Sequence, residues 1–294
     1  MELNKIKINK DYLQDINIDK NINNYFGNWI HNIPELKKNF LNGCPYENVV
    51  IDNFLNPSYA EKIYNLFPSH FENWYKYENP IEVKYAFDNI HLLPDELKNY
   101  FYYLSSSKII SVFSEMTNIP DLEYDEYLHG AGLHAHPRHG RLNIHLDYEK
   151  HPHSGKERRI NVILFLSKNW QESWNGANEL WDERVTKCVK KTDIQFNRAI
   201  IFKTNDISWH GLPDIIKCPE NVFRKSLAYY YVSPLTSYNK SPKSHRMKAK
   251  FVKRPEEPDN ENMEKLYEIR RHRLITDTDL KELFPEWKKE TDKI

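Results

Sequence analysis

Apolar and polar residues alternate in short bursts along most of this chain of 294 residues, and the bursts change character at Pro120. Before that point the stronger patterns are helical. "NVVIDNFLNPSYAEKIYNLFP" reads as a short strand followed by a helix, with Asn56 as N-cap and Pro57 at the first helical position. A longer helical stretch is predicted over Asp95 to Thr117. The first 45 residues are rich in Asn, Lys and Ile with weak periodicity, which predicts an extension lying on the domain surface.

After Pro120 short β-rich runs follow one another: "RLNIHLDY", "RINVILFLS", "ANELWD", "VTKCVKK", "AIIFKT" and "SLAYYYVS". Six of the eight glycines fall between and around them, where turns and bulges need glycine. Short strands at this spacing predict a sandwich or a closed barrel such as a jelly roll. Beyond Pro234 a basic linker, read as a solvated surface, leads to two helical segments, the second opening with Thr276 as N-cap and Asp279 three residues on. The expected organisation is one domain, with an extension over 1–45, helical support over 46–120, a β core over 121–236, and the linker and C-terminal helices over 237–294.

Charge narrows the partners. Lys plus Arg equals Asp plus Glu at 42 each, so no overall field draws the chain to nucleic acid or to an anionic membrane. A small molecule or a protein side chain is the expected partner. No signal-peptide core is visible at the N-terminus, and no later run approaches the roughly 20 apolar residues that cross a bilayer. Three cysteines, Cys44, Cys188 and Cys218, lie far apart without a CxxC pair, which suits a reducing, cytoplasmic location.

The chemistry begins in "RLNIHLDY". On a regular strand Arg141, Asn143, His145 and Asp147 share one face, and Leu142, Ile144 and Leu146 share the other. Taken alone, His145 and Asp147 could be polar residues on the wet side of a sheet. "SWHGLPDI" adds His210 several strands later, and "FRKSLAYYYVSP" adds Arg224 and Ser226. Two imidazoles and one carboxylate can form a facial triad on iron, which leaves metal positions open for cosubstrate and dioxygen.

In its order of His-x-Asp, distant His and a later Arg, the sequence resembles the Fe(II)/2-oxoglutarate-dependent dioxygenase superfamily, and its prolyl-4-hydroxylase-like branch most of all. The likeness runs from about Asn48 to Pro234 and includes "RRINVILFLSKNW" and "GANELWD". It implies a mainly β fold with flanking α-helices around a double-stranded β-helix, the cupin-like jelly roll. It implies Fe(II) held by His145, Asp147 and His210, and 2-oxoglutarate as cosubstrate with its distal carboxylate on Arg224. Dioxygen is the oxidant, and ascorbate would serve as reductant. Ser226 or Asn161 would assist Arg224, because Phe165 stands where the branch often places a tyrosine. Asp147 favours hydroxylation over halogenation, for which related enzymes carry a small residue at that position.

The implied reaction hydroxylates an unactivated C–H bond of an amino-acid or peptidyl side chain, with prolyl among the candidates, and decarboxylates 2-oxoglutarate to succinate. A free small molecule or sugar fits the sequence as well. Rival readings are a non-catalytic jelly-roll module binding carbohydrate or peptide, and a cupin-like metalloenzyme that makes no use of 2-oxoglutarate. Candidate substrate contacts are His134, His136, Arg141, Asn143, Tyr127 and Trp181, with Asn143 also a candidate partner for His145. The run of histidines from His129 to His139 reads as a loop, open to substrate contact, a plain structural role or a second metal.

Overall fold

The computed structural model describes residues 8, 13, 22–235 and 246–287. Thirteen strands make one antiparallel assembly: β1 (Asn48–Ile51), β2 (Tyr75–Asn79), β3 (Glu82–Phe87), β4 (Glu123–Tyr124), β5 (Gly132–His136), β6 (Arg141–Leu146), β7 (Glu157–Phe165), β8 (Asn178–Trp181), β9 (Cys188–Thr192), β10 (Ala199–Lys203), β11 (His210–Leu212), β12 (Arg224–Ser233) and β13 (Lys250–Phe251). Their lateral order is β1-β10-β7-β12-β5-β3-β6-β11-β8-β9. The first five form one sheet of a jelly roll, and β6, β11, β8 and β9 form the other. Strand β3 joins them, pairing with β5 through Tyr85 to Phe87 and with β6 through Glu82 and Val83.

Alternation sets what each face meets. On β7, Ile160, Val162 and Leu164 join an outer core with the helices, whereas Phe165 packs inward with Leu180, Ile200 and Phe202. On β12, Leu227, Tyr229 and Tyr231 face the helices, and Arg224, Ser226, Ala228 and Tyr230 line the interior. The strand run is therefore apolar on its helical side and mixed inside the barrel, as a ligand-holding interior requires.

Helices α1 (Ile33–Leu41), α2 (Pro57–Asn65), α3 (Asp95–Leu104) and α4 (Ser107–Thr117) cover the first sheet. Asn56 caps α2 by accepting a hydrogen bond from the Ser58 amide at 3.0 Å, with Pro57 at the first position. The predicted stretch from Asp95 to Thr117 is two helices rather than one. Ser105 and Ser106 donate their hydroxyls to the Phe101 and Tyr103 carbonyls at 2.8 and 2.7 Å, which ends α3, and Ser106 then caps α4.

The end of the expected surface extension is core instead. Phe26, Trp29, Ile30, Ile33 and Phe40 are buried, with Trp29 stacked on Phe54 at 5.2 Å. Trp29 and Ile30 sit on a short 3-10 turn and Ile33 and Phe40 on α1, so no single period runs through them in the sequence. The histidine run contains strand β5 and is not simply a loop, and β2 and β3 form a hairpin that sequence patterning did not reveal. At the C-terminal side, α5 (Glu261–His272) and α6 (Asp277–Leu283) follow, with Thr276 and Asp279 forming a reciprocal capping box. Residues 236–245 of the basic linker lie outside the described residues. Among the described residues no helix is long and apolar enough to cross a membrane.

Two irregularities in register decide which side chains enter the barrel. His210 faces His145, but Leu212 faces Leu142, so β6 carries one extra residue opposite Gly211. Likewise Tyr231 faces Ile160 while Val232 faces Arg158, an extra residue in β7. Each bulge inverts the parity of the strand beyond it. Gly211 permits the first: a Cβ there would stand 2.7 Å from the Leu142 carbonyl oxygen and 3.0 Å from that of Asn143. Gly211→Ala is expected to cost about 1–3 kcal/mol in urea unfolding and to lower divalent-metal affinity in the same protein; unchanged stability and affinity would show that the bulge tolerates a side chain.

Candidate metal centre

Strands β6 and β11 are neighbours, and their register sets His145 directly opposite His210. Asp147 follows at the end of β6. The Nε2 atoms of His145 and His210 lie 3.6 and 3.7 Å from the two carboxylate oxygens of Asp147. One ligand atom from each residue falls within 4.8 Å of the others, and all three residues are buried. No other group of three or more His, Cys, Asp or Glu side chains among the described residues converges in this way.

The backbone fixes both rings. His145 donates its Nδ1 proton to the Asn143 carbonyl at 2.9 Å, and His210 donates its own to the Ser208 carbonyl at 2.8 Å. Each ring thereby presents an Nε2 lone pair to the centre, the arrangement found around metal-bound imidazoles. Phe251 of β13 stacks on the His145 ring at 5.0 Å and Phe202 packs on His210 at 4.7 Å. Burial, and then the neighbouring His145, pushes the pKa of His210 down to about 4, so the ring is neutral. Burial opposes ionisation of Asp147, but Arg158, then His210 and His145, hold its carboxyl well below the usual range. Two imidazoles and one ionised carboxylate facing a cavity suit a divalent first-row metal.

That cavity, of about 330 Å³, extends from the three residues to Arg224 and out between the β2–β3 hairpin and α5. Cross-strand pairing aligns Arg224 with His136 and Ser226 with His134, so all four face inward. Arg224 is only 2% exposed. It donates Nε to the Gly176 carbonyl at 2.8 Å and Nη1 to Ser226 at 3.4 Å, while Nη2 has no hydrogen-bond partner. Burial without a carboxylate beside it pushes its pKa down to about 9. Asn178 Nδ2 and both ring nitrogens of His136 also lack a well-formed hydrogen bond, and Asn161 reaches toward Asp147 at 3.4 Å. A buried guanidinium with unanswered donors around it fits an incoming carboxylate.

Four of the expected substrate contacts do not line this cavity. Arg141 and Asn143 lie across the β6 bulge and face a separate groove with Tyr267, whose hydroxyl Asn143 contacts at 3.4 Å. Regular alternation does not survive the extra residue. Trp181 points outward from β8 into a cluster with Ile144, Leu146 and Trp209, because Leu180 occupies the inward position. Tyr127 packs against His151 and His153 at 5.5 and 5.1 Å. His134 and His136 do line the cavity, at the Arg224 end. His129 also reaches it, whereas His139 is an exposed turn residue.

Sequence reasoning missed Arg158 and Asn178. Arg158 sits inside only because of the β7 bulge, which a strict period of two cannot anticipate. Its neighbour Arg159 is turned outward toward Glu157 and Ser233. The one available signal was an arginine pair, following Glu157, ahead of a run that is otherwise apolar or amide-bearing.

Residues 131–232, from the edge of β5 to the end of β12, match the model of the 2OG-Fe(II) oxygenase superfamily. No curated protein sequence matches the chain. Among solved structures, a prolyl hydroxylase in complex with a hypoxia inducible factor peptide fragment from Trichoplax adhaerens is similar at 17% identity and TM-score 0.47, covering 70% of this chain and 93% of that one. A Pseudomonas putida prolyl-4-hydroxylase is similar at 12% identity and TM-score 0.47, covering 69% of this chain and all (100%) of its own. A prolyl 4-hydroxylase from Phytophthora capsici is similar at 18% identity and TM-score 0.44, over 71% and 70%. The family match spans the strands that carry the three candidate ligands and Arg224, so this part of the barrel is similar to a 2OG-Fe(II) oxygenase domain.

Proposed function

We propose that the protein hydroxylates a side chain of a peptide or amino acid, with His145, Asp147 and His210 as ligands to Fe(II) and Arg224 as anchor of the 2-oxoglutarate distal carboxylate. The observation that carries this reading is one cavity with both ends specified. Three convergent ligand groups lie at one end and an unanswered buried guanidinium at the other. A module that merely binds sugar or peptide has no use for both. A metal enzyme indifferent to 2-oxoglutarate has no use for the desolvated Arg224.

When bound, iron and 2-oxoglutarate together supply activation of dioxygen, with release of succinate and carbon dioxide, for insertion of one oxygen atom into a C–H bond. The chain's contribution is binding, orientation and exclusion of water. His145 and His210 offer fixed Nε2 donors, and Asp147 supplies the negative charge. Arg224 holds a carboxylate in its planar fork. Ser226, His136, Asn178 and Asn161 stand around it where Phe165 offers no hydroxyl. Phe251 and Phe202 keep the ligand rings dry.

The mouth supports a peptidyl substrate. Tyr75, Met247 and Leu274 are exposed at 47%, 44% and 53%, and all three line the opening. Apolar side chains left at a rim suit a partner long enough to cover them, as an extended peptide is. Cys44, Cys188 and Cys218 are free thiols, which fits a reducing cytosolic compartment.

The reading is tested by incubating the protein with Fe(II), 2-oxoglutarate and a panel of peptides, free amino acids and sugars, and following succinate. Peptide-stimulated release is the expected result, and stimulation by sugars alone would replace the substrate class. Asp147→Ala and His210→Ala are each expected to abolish succinate release and to weaken Fe(II) binding in calorimetry by at least about tenfold; full turnover by the Asp147→Ala protein would remove it from the ligand set. Arg224→Met is expected to raise the apparent Kd for 2-oxoglutarate by about a hundredfold, the scale of about 3 kcal/mol for a charge-assisted bidentate contact, with Fe(II) affinity retained. Equal loss of both affinities would assign Arg224 to the fold instead.

A further inference from the structure

The charge at the metal end of the cavity is balanced by a residue outside the ligand set. Arg158 is 2% exposed, and its Nη1 lies 3.1 Å from Asp147 Oδ2. Its Nη2 donates to the His129 carbonyl at 2.9 Å, a carbonyl that also accepts the Tyr148 hydroxyl at 2.6 Å. The guanidinium carbon sits 3.5 Å from the centre of the Tyr148 ring and 3.4 Å from that of Tyr230. A cation between two aromatic faces, with both η nitrogens committed, has one orientation open to it.

This clamp acts on one atom. Asp147 Oδ2 receives Arg158 and, at 3.4 Å, the Asn161 amide and lies 3.7 Å from His210 Nε2, whereas Oδ1 lies 3.6 Å from His145 Nε2. A carboxylate with one oxygen tied to a cation has the other left as its ligand atom, and its donation to a metal is weakened by the neighbouring positive charge. We infer that Arg158 is a positioning residue for the metal centre: it holds Asp147 to a single ligating oxygen, keeps a metal position open, and makes the bound iron less electron-rich. The inference rests on the reading of Asp147 as an iron ligand.

The consequence is a spectroscopic signature that a purely structural arginine would not produce. The 2-oxoglutarate complex of Fe(II) absorbs visible light by charge transfer from metal to keto group, so a more electron-rich iron absorbs at longer wavelength. Under anaerobic conditions, Arg158→Met with Fe(II) and 2-oxoglutarate is expected to show this band shifted to the red, and Fe(II) affinity is expected to fall by about 10- to 100-fold, as for other outer partners of metal ligands. Arg158→Lys keeps the charge and loses the fork, so its band should stay near the wild-type position while its Fe(II) affinity falls less. Tyr230→Leu removes one face of the clamp and should weaken Fe(II) binding with the charge still in place.

A band unmoved in a folded Arg158→Met protein would overturn the inference while leaving the iron and 2-oxoglutarate reading intact. If Arg158→Met fails to fold, the lysine variant decides: a red-shifted band there would also overturn it, since the charge is retained. Absence of any band in the wild-type protein would sink the reading of the site and this inference with it.

Discussion

A charge sealed in a protein interior has to be answered by an opposite charge, by hydrogen bonds or by a bound ion. The barrel of this protein encloses two arginines under that constraint, and it answers them differently. Arg158 has Asp147, a backbone carbonyl and two tyrosine faces. Arg224 has one carbonyl, one hydroxyl and a cavity. The first is a closed account of local charge and the second is an open one. The polarity of the site follows: a metal-ready end where a carboxylate is already oriented, and an anion-ready end where a guanidinium waits.

The parts legible in the sequence are those that depend on local identity. His145, Asp147 and His210 announce themselves by type and order, and Arg224 by its place after them. The strand runs that carry them are apolar enough to be seen. The parts that were not legible depend on register. One extra residue in β6 sends Arg141 and Asn143 to the opposite side from His145, and one extra residue in β7 brings Arg158 in. A bulge leaves no mark on hydrophobic alternation when the residues around it are mixed, as they are in "RLNI" and "ERRIN". The hairpin of β2 and β3 was hidden for a related reason, since "YKYEN" pairs with "EVKYAF", and "EVKYAF" in turn with β5 and β6, and their strand state owes more to this pairing than to a buried apolar face.

Segments outside residues 131–232 shape the site as much as the matched barrel does. Phe251 of β13 covers His145, and the Arg270 guanidinium of α5 lies over the Phe251 ring at 5.5 Å. Glu82 of β3 is buried between Lys84 at 3.0 Å and Arg270 at 3.6 Å, which ties the hairpin to α5 across the cavity mouth. The N-terminal helices, by contrast, cover the sheet's outer face and serve its stability. The hairpin and the C-terminal helices therefore frame the mouth of the cavity.

The central claim is that one cavity holds a metal and 2-oxoglutarate in contact with each other. Binding of 2-oxoglutarate by calorimetry, with and without saturating Mn(II) as a redox-inert stand-in for iron, tests it most directly, because ligands that share a coordination sphere must strengthen each other's binding reciprocally. One 2-oxoglutarate per chain, bound at least about tenfold more tightly with the metal present, equivalent to about 1.4 kcal/mol of coupling, is the result the account predicts. Binding that is the same with and without metal, or absent in both, would contradict it.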